Sequence, residues 1–135
     1  MERNSLTVTA SPLTTEQQEM HRIFHLFEHY VTTHPAFIIH FFPRIGYLWL
    51  LYDGAENGYV DNRVFRTADE MLEFILLNVI MDVSSQNTPE HIDNQLSEHE
   101  KDQIRHLLEE ITRDFPEQDK DKCFALLERE MEDPP

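Results

Sequence analysis

The sequence predicts an α+β fold with an N-terminal helix, a β-hairpin or three-stranded antiparallel meander, a buried central helix and a C-terminal acidic helical hairpin. Two observations support this prediction. Apolar residues recur at helical spacing towards both ends of the chain, whereas the middle is aromatic and β-branched and contains all three glycines. The length of 135 residues fits one domain. We therefore expect a flexible arm over 1–13 and one globular domain over 14–135, in which 84–96 form a polar linker before the hairpin 97–132.

The first helix is predicted from Thr15 to about Val31. Thr14 and Gln17 form the pattern of a capping box at its start, and Pro35 should end it. Its apolar residues are Met20, Ile23, Phe24, Phe27, Tyr30 and Val31.

The middle segment is predicted to contain a hairpin. "YLWLLYD" and "YVDNRVFRT" flank the glycine-containing loop "GAENG", as two paired strands would. The preceding "FIIHFF" fits a third strand or a short buried helix, because its periodicity matches neither pattern alone. An isolated hairpin is marginally stable in water, so we expect this region to pack on helices.

The second half of the chain is predicted to be helical. Thr67 and Glu70 could cap a helix whose apolar residues cover nearly its whole circumference, as in a buried helix. Ser97 and Glu100 cap the next helix, and Pro116 separates it from a last helix that begins near Asp119. The apolar stripe of the helix after Ser97 comprises Ile104, Leu107, Leu108, Ile111 and Phe115.

One short motif points to metal chemistry. His25, Glu28 and His29 spell H-x-x-E-H, the residue order of the inverted zinc-peptidase motif, and His21 extends the row by one turn. A catalytic zinc needs a third protein ligand, which the sequence does not specify, and the apolar stripe lies on the opposite face of the helix. We therefore expect solvent-facing histidines and no catalytic residue, metal or cofactor. A small metal-dependent hydrolase built on His25, Glu28 and His29 is the alternative.

The segment 53–64 partly matches a calcium-binding loop. Asp53, Asn57 and Gly58 fall at suitable positions, but Ala55 and Val64 replace two of the oxygen ligands. A hairpin turn is therefore the favoured interpretation.

The single cysteine, Cys123, excludes an internal disulfide and favours a reducing, cytoplasmic setting. Its apolar neighbours favour a core position, although a nearby helix start and two lysines would suit a reactive thiol. The chain start has no apolar stretch typical of a secretion signal, and the most apolar run, 37–52, is too short and too polar for a membrane anchor.

The net charge of −15 limits the classes of partner. Residues 1–83 contain 11 acidic and 5 basic side chains, whereas the shorter segment 84–135 contains 15 and 6. Such a field repels phosphate backbones, so direct binding of nucleic acid is disfavoured. A basic protein partner is compatible with it.

The acidic hairpin is therefore the predicted binding element. Part of its charge should pair within the helix, through Glu98–Lys101, Asp102–Arg105 and Glu109–Arg113. We predict a non-catalytic interaction module, such as an inhibitor or antitoxin-like regulator that binds a basic partner. Alternatives are a nucleic-acid-mimicking inhibitor of a DNA- or RNA-binding protein, and a homodimer formed through the exposed part of 37–52. The candidate interaction residues are Asp102, Glu109, Glu110, Asp114, Glu117 and Asp121.

Overall fold

The computed structural model describes residues 14–52, 58–84 and 96–132, and it confirms the α+β class and the predicted order of elements. The predicted arm 1–13, the loop 53–57 and most of the predicted linker lie outside the described residues. The described elements are α1 (Thr15–Leu26), α2 (Glu28–Thr33), β1 (Phe37–Phe42), β2 (Gly46–Tyr52), β3 (Tyr59–Val64), α3 (Ala68–Ser84), α4 (Glu98–Ile111) and α5 (Glu117–Glu132).

The helix predicted over 15–31 is divided at Phe27. Thr14 and Gln17 form the expected capping box, with both hydrogen bonds at 3.0 Å. The backbone of Phe27 departs from helical angles, at φ −97° and ψ 11°, while its side chain is buried against the ring of Phe115 at 4.9 Å. The N–H of Val31 still donates to the carbonyl of Phe27 at 2.9 Å, so the two helices meet at a kink. The residue at the kink thus contacts a residue far along the chain, and local spacing does not encode such a contact.

The middle segment forms a three-stranded antiparallel sheet in the order β1-β2-β3, and "FIIHFF" is a strand. Phe37 pairs with Leu51, and Leu48 pairs with Val64. Gly46 begins β2 with a φ of +107°, which a residue with a Cβ rarely adopts, so glycine is required at the end of this turn.

One face of the sheet, here called the inner face, packs on the helices. Phe37, Ile39 and Tyr47 project from this face and are buried. The ring of Phe74, from α3, lies 5.4 Å from that of Phe37 and 4.9 Å from that of Trp49. The sheet therefore obtains the helical support that an isolated hairpin lacks.

Helix α3 lies at the centre of the molecule, since α1, α4 and α5 all pack against it. Ile75, Leu76 and Val79 are fully buried in this helix. The expectation that α3 is covered on all sides is wrong in one strip, because Leu77 and Met81 are 42% and 57% exposed. Only the faces towards the sheet and towards the other helices are covered by the described residues.

The predicted helical hairpin is confirmed as α4 and α5. Ser97 and Glu100 form a complete capping box at the start of α4. This helix ends at Ile111. The prediction that Phe115 belongs to its apolar stripe is therefore wrong. Thr112 caps the end, where its N–H and hydroxyl both donate to the carbonyl of Leu108, at 2.9 and 2.8 Å.

Candidate interaction surfaces

The hairpin α4–α5 has one apolar side and one charged side. Ile104 and Leu108 of α4 and Leu127 of α5 are fully buried. The segment 97–132 contains twelve carboxylates and six lysine or arginine side chains. Because the apolar residues pack inwards on α3, most of these charges lie on the outer side of the hairpin.

Two of the six predicted interaction residues already have cationic partners. Asp102 accepts a hydrogen bond from Arg105 at 2.9 Å, as predicted. Glu109 accepts one from Lys120 of α5 at 2.8 Å, so the predicted pairing of Glu109 with Arg113 is wrong. Arg113 lies beyond the end of α4 at Ile111, whereas Lys120 of the adjacent helix reaches Glu109.

Arg105 also joins the two helices. Its guanidinium donates to both carboxylate oxygens of Glu128, at 2.7 and 2.9 Å. This bond to Arg105 holds the pKa of Glu128 below its ordinary value and raises that of Arg105. A planar fork bound to a carboxylate fixes orientation as well as distance, so the hairpin is held in one geometry.

The other four predicted residues surround the turn between the helices and form what we call the acidic turn: Glu110, Asp114, Glu117 and Asp121. All four are exposed. Glu110 lies 3.6 Å from His106, and the described part of the chain provides no ion-pair partner for Asp114, Glu117 or Asp121. The acidic turn is therefore the least neutralised end of the hairpin.

The H-x-x-E-H residues straddle the kink between α1 and α2. The side chain of His25 is 71% exposed, and its Nδ1 lies 3.3 Å from the Glu28 carboxylate. His29 is also exposed. No group of three or more His, Cys, Asp or Glu side chains is placed to hold a metal ion within the described residues.

The expectation that His21 faces solvent is wrong. Its Nδ1 lies 2.7 Å from the hydroxyl of Tyr47, and its ring lies 4.6 Å from that of Phe41. Strands β1 and β2 cover this part of α1, so the helical pattern of α1 alone could not reveal the contact.

The predicted core position of Cys123 is confirmed. Its side chain is buried, and burial raises the pKa of the thiol to about 11. The crevice beside it, lined by Arg22 and Asp119 among others, measures about 10 Å³, which is room for one water molecule.

A half-buried polar cluster joins α2, the turn before β1 and the end of α3. His34 Nδ1 accepts from the backbone N–H of Ala36 at 3.0 Å, so the ring proton sits on Nε2, which donates to Asp82 at 2.8 Å. The hydroxyl of Tyr30 donates to the other oxygen of Asp82 at 2.5 Å. Burial and the carboxylate together raise the pKa of Tyr30.

The chemistry of this cluster is that of a structural clasp. Both Tyr30 and His34 donate to the Asp82 carboxylate, so the imidazole has no nucleophile to deprotonate. The sequence interpretation missed this cluster, because Asp82 lies in a helix predicted from apolar residues alone. The position of an aspartate within an otherwise apolar helix is the feature of the sequence that indicates such a polar contact.

The second face of the sheet, here called the outer face, is not covered by any described element. Ile38, Phe42 and Val64 are 41%, 37% and 39% exposed. Cross-strand pairs place the following side chains on this face: Ile38, His40, Phe42, Leu48, Leu50, Asn62 and Val64. These residues include no aspartate, glutamate, lysine or arginine.

None of the helices within the described residues combines the length and the apolar surface that crossing a bilayer requires. Comparison of the chain with protein-family models, curated proteins and solved structures finds no match.

Proposed function

We propose that the protein is a non-catalytic interaction module that binds a basic surface of another protein through the acidic turn. Its role would be that of an inhibitor or antitoxin-like regulator of that partner. The observation that carries the proposal is the exposure of Asp114, Glu117 and Asp121 without a described cationic partner at one end of a fixed hairpin.

The rigidity of the hairpin supports this role. Arg105 clamps Glu128, Lys120 binds Glu109, and Leu108 and Leu127 are fully buried beneath them. Carboxylates on a fixed scaffold lose little conformational entropy when they meet a partner. Complementary charge then speeds the encounter and selects the partner.

The test uses two variants that each remove four negative charges. The first is the quadruple variant E110Q/D114N/E117Q/D121N of the acidic turn. The matched control changes carboxylates elsewhere, of which Glu28, Asp61 and Asp69 are exposed and Glu73 is half-buried, as E28Q/D61N/D69N/E73Q. Both are compared with the parent in pull-downs from the native lysate at about 50 and about 150 mM salt, which differ in Debye length.

We expect the parent and the control to retain the same partner at low salt and the acidic-turn variant to lose it. Equal loss in both variants would show that net charge, and not this surface, governs binding. Absence of any partner at either salt concentration would contradict the module. Displacement by duplex DNA would identify a nucleic-acid-binding partner, as the mimicry alternative requires.

A further inference from the structure

We propose that the outer face of the sheet binds a second copy of this chain and forms a symmetric dimer. This inference does not depend on the proposed function, because it concerns a different surface. Helices α4 and α5 pack on α3, which separates them from the sheet.

The hydrophobic pattern of β1 and β2 is that of strands covered on both faces. A sheet covered on one side only alternates apolar and polar residues, whereas a sheet covered on both sides has nearly continuous apolar strands. "FIIHFF" in β1 and "YLWLLY" in β2 are of the second kind. The inner face of the sheet is buried on the helices, but the described residues leave Ile38 and Phe42 of the outer face in solvent.

The distribution of charge favours a second copy as the occupant of the outer face. The segment 37–66 contains three acidic and three basic residues, so the net charge of −15 resides entirely in the rest of the chain. Two copies repel each other through their helices, but they can join their outer faces without burying a carboxylate. A basic partner gains nothing there, because Arg44, Arg63 and Arg66 are exposed around the sheet.

The area of the outer face limits the expected strength of dimerisation. Three strands of about six residues make a face of about 20 Å by 14 Å. This is smaller than the face of a standard interface, which buries about 800 Å² per partner. Two such faces would pack about 10 Å apart, as in a β-sandwich. We therefore expect a weak, reversible dimer.

Salt should act on this dimer in the direction opposite to its action on the proposed basic partner. Screening weakens the repulsion between two acidic chains, so salt should favour dimerisation. The same screening weakens attraction between the acidic turn and a basic surface. The two proposals can therefore fail independently.

The experiment is sedimentation of the full chain from about 1 to about 200 μM, a range suited to an interface of this size, at about 50 and about 500 mM salt. We expect the mass to rise from 16.1 kDa towards twice that value with concentration, and to do so at lower concentration in high salt. A monomer throughout this range, at both salt concentrations, would overturn the proposal.

Three variants locate the interface. Ile38→Glu and His40→Glu place a charge on the outer face, and His40 is already exposed and polar, so its replacement preserves the monomer fold. Met81→Glu is the matched control on α3, where Met81 is 57% exposed. Far-ultraviolet circular dichroism and the emission of the single tryptophan, Trp49, verify the fold of each variant.

We expect both outer-face variants to weaken association at least tenfold and the control to leave it unchanged. If His40→Glu is folded and dimerises as the parent does, the outer face is not the interface. If Met81→Glu alone abolishes the dimer, the exposed strip of α3 is the interface, and the proposal is wrong.

Discussion

The acidic hairpin exposes charged side chains to solvent, whereas the outer face of the sheet exposes mainly apolar ones. On α4 and α5, charged side chains cover an apolar stripe and neutralise one another in part, as Arg105 does with Asp102 and Glu128. On the outer face of the sheet, cross-strand neighbours such as Leu48 and Val64 are apolar, and the described residues of this face include no carboxylate. The helices thus carry most of the net charge of the chain.

This difference makes the two surfaces distinguishable by simple means. Binding through the hairpin should weaken with salt, because the attraction is electrostatic and salt screens the exposed carboxylates that provide it. Association through the sheet should depend on apolar contact and strengthen as salt screens repulsion between copies.

The largest effect is expected from Leu108→Ala in the hairpin core. Leu108 is fully buried, so its truncation should lower the free energy of unfolding by about 3 kcal/mol, through lost apolar burial and a residual cavity. Urea unfolding followed by circular dichroism and by Trp49 emission measures the loss.

The choice of probe makes this variant a test of the single predicted domain. Trp49 lies in the sheet, so a shared midpoint by both probes would show that the hairpin and the sheet unfold together. If the Trp49 transition does not move while the helical signal does, the two regions are separate folding units.

A smaller loss is expected from Asp82→Ala, which opens the clasp between α2 and α3. The substitution removes the acceptor of both Tyr30 and His34, and the side chain of His34 is only 7% exposed. Unpaired buried donors should lower the free energy of unfolding by about 2 kcal/mol.

The control for the clasp is Glu73→Ala on the same helix. Glu73 is 43% exposed and meets Arg129 at 3.6 Å, so its loss should cost less than about 0.5 kcal/mol. Equal losses in the two variants would show that the clasp adds nothing beyond a surface charge.

The features predicted correctly from sequence are those that local interactions determine. The capping boxes at Thr14 and Ser97 depend on residues three positions away, and both are complete. The hairpin strands follow from aromatic and β-branched runs around a glycine-containing loop. In the acidic hairpin, the Asp102–Arg105 pair was likewise readable from spacing on one helix.

The features missed are those that depend on contact between distant segments. Phe27, at the kink between α1 and α2, packs on Phe115, and the strands β1 and β2 cover His21. The sequence does not distinguish a strand from a helix at β1, since a run that is apolar on both faces has no decisive period. The same pattern identifies the outer face as unusual, because β1 also has apolar residues on the side of the sheet that is exposed to solvent.

A still smaller effect with a distinct pH dependence is expected for Arg105→Gln. The folded state lowers the pKa of Glu128, so the contribution of this pair is present above the ordinary glutamate pKa of 4.5. It is lost as the pH falls below that value and the carboxylate is protonated. We expect a loss of about 0.5 to 1 kcal/mol at neutral pH, since both side chains are partly exposed, and a smaller loss near pH 3.

Urea unfolding at the two pH values measures this dependence. An equal loss at both would assign the effect to packing of the arginine stem and not to its charge. That outcome would weaken the view of the hairpin as a region held by its own ion pairs.

The smallest effect on the stability of the monomer is expected from Ile38→Thr. This variant tests most directly whether the outer face of the sheet is covered by a second copy. Thr retains the β-branched shape, and Ile38 is 41% exposed, so dilute protein should lose less than about 0.5 kcal/mol of unfolding free energy. The neighbouring Ile39→Thr is the control, because Ile39 is 6% exposed on the inner face and should cost about 2 kcal/mol at every concentration. If a second copy covers the outer face, the loss in Ile38→Thr should grow with protein concentration, since dimerisation stabilises the parent by mass action. Concentration-independent unfolding of both the parent and Ile38→Thr would mean that solvent, and no second copy, covers this face of the sheet.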